Sequence, residues 1–269
     1  MRGVSAQSQT TVIDRLEAAI GSDAEPAAVG SDLFAVATLL DSEPGLRRAV
    51  TDASTPAEAR ASMVRGLLHG KVPDVTVDIS AAAAAERWSA PRDLGDTLEH
   101  AGVIAHIVAA ERAGQGDELE DELFRFGRVV AGDARLREVI SDRTAPTAAK
   151  QSLVRSLLDG QACAPTVRLA EQAVVGRHRS FDAALEYFTK VAADRRERFV
   201  ATVRSAAPLS EPAKSRLADA LQRQYGRQVH VNTVVDPELL GGLRVEIGDE
   251  VIDGTVASKL DEARRRLTG

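Results

Sequence analysis

Cysteine occurs once in the 269 residues, at Cys163, which rules out an internal disulfide framework and any four-cysteine metal site. Long apolar runs are missing as well. The most apolar stretch, from Val103 to Ala110, falls far short of the roughly 18–20 residues that span a bilayer, so no direct membrane insertion is expected. The first nine residues have neither the apolar centre nor the cleavage pattern of a signal peptide, and with the lone cysteine this predicts a reducing, cytoplasmic setting. Positive charge is not in excess: the formal net charge is -6, which argues against nucleic acid as the main partner. Aromatic residues make up only 3%, while alanine is abundant, a composition suited to helices packed closely through small side chains.

Catalytic constellations are lacking too. His69, His100, His106, His178 and His230 are scattered, and no pair has zinc-ligand spacing with a third ligand nearby. Gly241-Gly242 is not followed by the Gly-Lys-Ser/Thr element of a phosphate loop. Asp236, Asp249 and Asp253 sit at turn positions, where aspartate bonds its own backbone, and need no metal. We therefore expect no catalytic, cofactor-binding or metal-binding residue. The charge runs Asp194–Arg198 and Arg264-Arg265-Arg266 read as solvated helix faces.

What the sequence does hold is a repeat. Leu33-Phe34 recurs as Leu123-Phe124, Leu46-Arg47 as Leu136-Arg137, and Pro56 as Pro146. The run from Ser62 to Gly70 recurs from Ser152 to Gly160, Thr76-Val77 recurs as Thr166-Val167, and Arg87 as Arg177. Each pair is 90 positions apart. Both copies read as helices. Met63, Val64, Leu67 and Leu68 form an apolar stripe, matched by Leu153, Val154, Leu157 and Leu158, and Gly70 and Gly160 supply the stops. Thr55-Pro56-Ala57-Glu58 has the spacing of a capping box. Residues 166–198 read as one long helix.

Past residue 198 the period changes. Phe199 to Ser205 and Val229, Val231 and Thr233 alternate as strands, with a helix opened by Pro208 and Ser210, carrying Leu217 and Leu221 and closing at Gly226. Asp236-Pro237 then forms a turn, Gly241-Gly242 a bend, and Leu243, Val245 and Ile247 a strand. Gly248-Asp249 reverses it into a hairpin. Val256, Leu260, Ala263 and Leu267 predict the seam of a terminal helix. The expected fold is mainly α: two related helical-bundle units, residues 1–89 and 90–198, followed by a small α/β domain, residues 199–269.

The hairpin carries more than structure. Asp236, Pro237, Gly241, Gly242, Gly248, Asp249 and Asp253, with Leu239-Leu240 between, stand in an order and spacing that resembles the C-terminal signature of the delta subunit of F-type ATP synthases, known in mitochondria as the oligomycin sensitivity conferring protein. Val203-Arg204-Ser205-Ala206-Ala207-Pro208-Leu209-Ser210 is similar to a second segment of that family, and the likeness covers residues 96–269. The family's aromatic-rich opening is absent; His100 to Ala105 stands there instead. The extra N-terminal copy looks like the long delta subunits of high-GC Gram-positive bacteria.

That resemblance implies a non-catalytic stator protein, present once in a hetero-oligomeric complex at the cytoplasmic face of the plasma membrane. It implies that the helical bundle grips the N-terminal helices of alpha subunits and that the last domain holds the C-terminal region of the b subunit. By position, the alpha-binding face falls on Val103, Ile104, Ile107 and Val108 of the bundle's first helix and Leu169, Ala170, Ala173 and Val174 of its fifth. The residues alone support a mostly helical interaction protein, and the alternative to the stator is a helical protein–protein adaptor with a delta-like C-terminal domain and a regulatory role.

Overall fold

The computed structural model describes residues 3–21, 24–197, 200–225, 229–236, 239, 241–247 and 250–253. Among them are twelve helices and four strands, divided into two compact units, Met1–Ala192 and Ala193–Gly269.

The first unit is helical: α1 (Val4–Gly21), α2 (Pro26–Ser42), α3 (Pro44–Thr51), α4 (Ala57–Leu68), α5 (Asp74–Ala85), α6 (Pro91–Arg112), α7 (Gly116–Gly132), α8 (Ala134–Ser141), α9 (Thr147–Leu158), α10 (Ala164–Ala173) and α11 (Phe181–Glu197), the last running across the boundary between units. The helix starts keep the interval seen in the sequence. Pro26 and Gly116, Pro44 and Ala134, Ala57 and Thr147, and Asp74 and Ala164 open α2/α7, α3/α8, α4/α9 and α5/α10, each pair 90 positions apart. Gly70 and Gly160, at φ 71° and 65°, stop α4 and α9 in the left-handed conformation that favours glycine. At the same interval α6 corresponds to α1 on one side and to α11 on the other. It closes one set of six helices and opens the next, and residues from both sets share one core.

Two local expectations need correction. The capping box at Thr55 does not form: α4 begins at Ala57, Pro56 precedes it, and Glu58 pairs with Arg65 instead. An aspartate upstream organises the turn. Asp52 Oδ1 accepts from the Ser54 amide and hydroxyl, and Asp142 Oδ1 accepts from those of Thr144 before α9. The single helix expected over 166–198 is broken between Ala173 and Phe181. Gly176, at φ 87°, turns the chain there, and Arg177 fills the break with a buried side chain.

The tightest packing is where α2 crosses α6. A Cβ on Gly102 would lie 2.5 Å from the Phe34 ring, and one on Gly30 would lie 2.8 Å from the His106 ring. Only glycine at both positions lets the backbones approach this closely. Phe34 stacks on His106 with ring centroids 5.2 Å apart. Ser5 ties α1 to the start of α6, donating to Asp93 Oδ2 at 2.6 Å and accepting from the Ser89 amide at 2.7 Å. Trp88 packs on the same core and donates to the Ala83 carbonyl at 2.9 Å.

The second unit holds a four-stranded sheet in the order β2-β1-β3-β4, from β1 (Val200–Ser205), β2 (His230–Val235), β3 (Leu243–Ile247) and β4 (Glu250–Asp253). The helix α12 (Glu211–Tyr225) connects β1 to the parallel β2, while β3 and β4 pair antiparallel. Ala201, Val203, Leu221, Val229, Val245 and Ile247 make its core, with Val245 opposite Val203 and Ile247 opposite Ala201. Gly226, Pro237, Gly248, Asp249 and the expected terminal helix with Val256, Leu260, Ala263 and Leu267 lie outside the described residues.

The α2–α6 crossing sets a stability test. Gly102→Ala should destabilise the chain by about 1–3 kcal/mol in urea unfolding, because overpacking against Phe34 and the Gly30 carbonyl outweighs the gain in helix propensity. Gly66→Ala, in a helix with open space around it, should stabilise by up to about 1 kcal/mol. Equal effects at the two sites would refute the close crossing.

Candidate interaction site

The sequence points to α6 and α10. Val103, Ile104, Ile107 and Val108 lie on α6, Leu169, Ala170 and Ala173 on α10, and Val174 caps α10. All eight are buried in the unit's core. The reason is the composition of α6. From Ala101 to Val108 every residue is buried, because α6 packs against α2 as well as against α10. A helix that is apolar all round is an interior helix. Arg168, Glu171 and Gln172 of α10 and Val175 just after it face away from these eight, Glu171 and Gln172 being buried as well.

These four residues form part of a cleft of about 910 Å³ within the first unit. Its walls come from α2 and α3 on one side and from α9 and α10 on the other, with Arg92 of α6 also lining it. Arg47 donates to Asp41 at 3.2 Å and to the Leu40 carbonyl. Glu171 is buried and takes two arginines, Arg155 at 2.6 Å and Arg168 at 2.5 Å.

Behind the cleft lies a buried ionic cluster that sequence reasoning missed. The Arg177 side chain is 3% exposed. It donates to Asp41 of α2 and to Asp96 of α6 at 2.7 Å, and its Nε lies 3.4 Å from Glu99. Burial alone would lower its pKa, but Glu99, Asp41 and Asp96 raise it overall, so the guanidinium stays charged. Burial pushes the Glu99 carboxyl up, yet hydrogen bonds from His178 at 3.1 Å and Gln172 at 2.8 Å, with the charge of Arg177, hold it below its ordinary value. The recurrence of Arg87 as Arg177 is the one hint the sequence carried.

His106 is fully buried and, mainly through burial, its pKa is depressed from 6.5 to about 3. Cys163 donates its amide to Glu122 at 3.0 Å and has its thiol 3.1 Å from the Thr166 hydroxyl; burial pushes the thiol pKa up, the opposite of an activated nucleophile. Among the described residues, no group of three or more His, Cys, Asp or Glu is placed to hold a metal ion, and no helix is long and apolar enough to cross a membrane.

In the second unit the signature residues within the described chain have backbone roles. Gly241 and Gly242 take φ 135° and 86° ahead of β3. The Asp236 amide donates to the Ser205 carbonyl at 2.9 Å as β2 ends, and Asp253 closes β4. Val234, Val235 and Val251 are exposed on β2 and β4, the two edge strands of the sheet.

Comparison with known proteins gives these features a context. The family model for the ATP synthase delta (OSCP) subunit matches residues 104–267. ATP synthase subunit delta of a Nocardioides species is 50% identical over 269 residues, covering 100% of this chain and 98% of its relative. The subunit delta of Kineococcus radiotolerans is 49% identical over 259 residues, 96% of this chain and 93% of the relative. That of Streptomyces avermitilis is 45% identical over 267 residues, 98% of each. Among solved structures, a chain of the Toxoplasma gondii mitochondrial ATP synthase hexamer aligns at 18% identity with a TM-score of 0.30, over 62% of this chain and 95% of that one.

The buried charges make acid stability readable. His106 is neutral in the folded chain, whereas the unfolded chain protonates it below 6.5, so stability is lost as pH falls from 6.5 towards 3, by at most about 1.4 kcal/mol per pH unit. Glu99 is ionised when folded, so its contribution is complete above 4.5 and is lost as pH falls through its lower folded value. Urea unfolding between pH 7 and 4 should give a shallower pH slope for His106→Leu, by about one proton. Arg177→Met should cost about 3–5 kcal/mol at pH 7, because it strands carboxylates in the interior.

Proposed function

The chain belongs to the ATP synthase delta (OSCP) family, and from that premise we propose how its two units divide the work of a stator. It is a non-catalytic subunit of the peripheral stalk of an F-type ATP synthase, and it takes part in ATP synthesis and ion transport as part of that membrane-associated complex. The observation that carries this is the 50% identity with a subunit delta along the whole of this chain.

In our reading the helical unit binds the N-terminal helices of the alpha subunits and the α/β unit binds the C-terminal region of the b subunit. One copy joins each complex, at the cytoplasmic face of the plasma membrane. Residues 1–89 are the additional helical set, residues 90–198 the delta-type bundle, and residues 199–269 the stalk-binding domain. Val103, Ile104, Ile107 and Val108 on α6 and Leu169, Ala170, Ala173 and Val174 at α10 act from within. Their packing holds α6 against α10 and thereby sets which side chains those helices turn towards alpha. The exposed edge strands of the second unit suit a partner that holds on without any catalytic group.

A stator is inert by itself and acts by resisting torque. The ion cluster at Arg177 and the glycine crossing of α2 and α6 stiffen the helical unit for that task. Purifying the tagged chain from membranes should recover alpha, beta and b subunits in a complex with ATPase activity. Recovery of a free monomer from otherwise intact complexes would overturn the reading.

A further inference from the structure

We infer that Tyr187 is the positioning residue that fixes α11 to α6, so that load reaching this helix is handed to the helical unit without slip. The inference rests on the stator reading, in which the two units hold different partners. α11 starts at Phe181 and runs across the boundary after Ala192, so it is the chain's own link between those units. Load passing along that link has to be taken up where α11 is rooted.

The root has two kinds of contact. Phe181, Ala184, Leu185, Phe188, Val191 and Ala192 form a buried seam at helical spacing. Leu185 lies beside Gly127 of α7, and Phe181 meets Phe126 of α7 edge-on, with ring centroids 5.8 Å apart. Apolar burial is non-directional, so such a seam resists separation more than a small slide or rotation. The polar contacts supply the direction. The Tyr187 hydroxyl lies 2.7 Å from His100 Nδ1 on α6, and a hydrogen bond weakens steeply when it is misaligned. Burial, with the charges of Glu99 and Asp96, raises the Tyr187 pKa, so the hydroxyl keeps its proton and stays a donor. The Tyr187 ring sits 5.0 Å from the His178 ring and 5.9 Å from that of Phe188. His178 in turn pairs with Glu99, the residue before His100. α11 and the turn leading into it are thus tied to one place on α6, next to the Arg177 cluster. Aromatics are only 3% of the chain, yet Phe126, Phe181, Tyr187 and Phe188 gather at this root. Such rings have few torsions to lose, which makes the joint stiff.

Tyr187→Phe keeps the ring and removes only the hydroxyl. In the full chain it should speed amide exchange in α11 about fivefold, the factor that one net hydrogen bond is worth, with exchange in α2–α5 unchanged. In membrane vesicles holding the assembled ATP synthase it should lower ATP-driven proton pumping per ATP hydrolysed at least about twofold, while subunit content and hydrolysis stay the same. A purely structural role would instead lower subunit content and both activities together. With His100→Leu already in place, Tyr187→Phe should add nothing further. Unchanged exchange in α11, unchanged pumping per ATP, losses that only follow subunit content, or additive effects of the two changes would each overturn the inference. Recovery of alpha and b with the variant chain, scored on the same vesicles, reports separately on the stator reading.

Discussion

A charged arginine in an apolar helical interior is tolerable only if its charge and donors are met on the spot. Arg177 imposes that condition. Removing an ion from water is expensive, and the attraction of a partner offsets it only when geometry is good and the remaining donors are bonded. Asp41 of α2 and Asp96 of α6 accept from its two terminal nitrogens, Glu99 adds a charge 3.4 Å from Nε, and Glu99 is itself held by Gln172 and His178. Because those partners sit on different elements, the elements must take up one relative arrangement. Oily contacts alone tolerate sliding; a buried guanidinium with fixed donors does not.

The glycine crossing works in the same direction. Gly30 and Gly102 let α2 settle so deeply on α6 that Phe34 stacks on His106. His106 remains neutral there, since burial favours the uncharged ring. Apolar contact, ring stacking and ion pairing thus converge on α6, which has buried residues along nearly its whole length.

Much of the fold was legible in the sequence, since helix stripes, glycine stops and strand alternation are local signals. The interval of 90 positions was visible in pairs such as Leu33-Phe34 and Leu123-Phe124, and the helix starts keep it. Misreadings arose where a non-local partner decided the outcome. Arg177 looked like one more residue of a long helix, because nothing nearby in sequence announces carboxylates on α2 and α6. Pattern alone made Thr55 a cap, while Asp52, three residues upstream, took over the turn. The eight residues on α6 and α10 were apolar at the right spacing, yet spacing does not say whether a face meets solvent, a partner or the chain itself. Phe34 and Phe124 make the point: they are counterparts by sequence, one 5% exposed and the other 62%.

The double membership of α6 bears on how such a chain can change over time. Because this helix ends one set and begins the other, the first set has no clean edge at which it can be lost. Cutting the chain before α6 would leave a helix whose Gly102, His106 and apolar neighbours suddenly face water, with Arg177 lacking Asp41. The two sets are thus locked together through one helix, and a viable shorter form requires resurfacing α6 first.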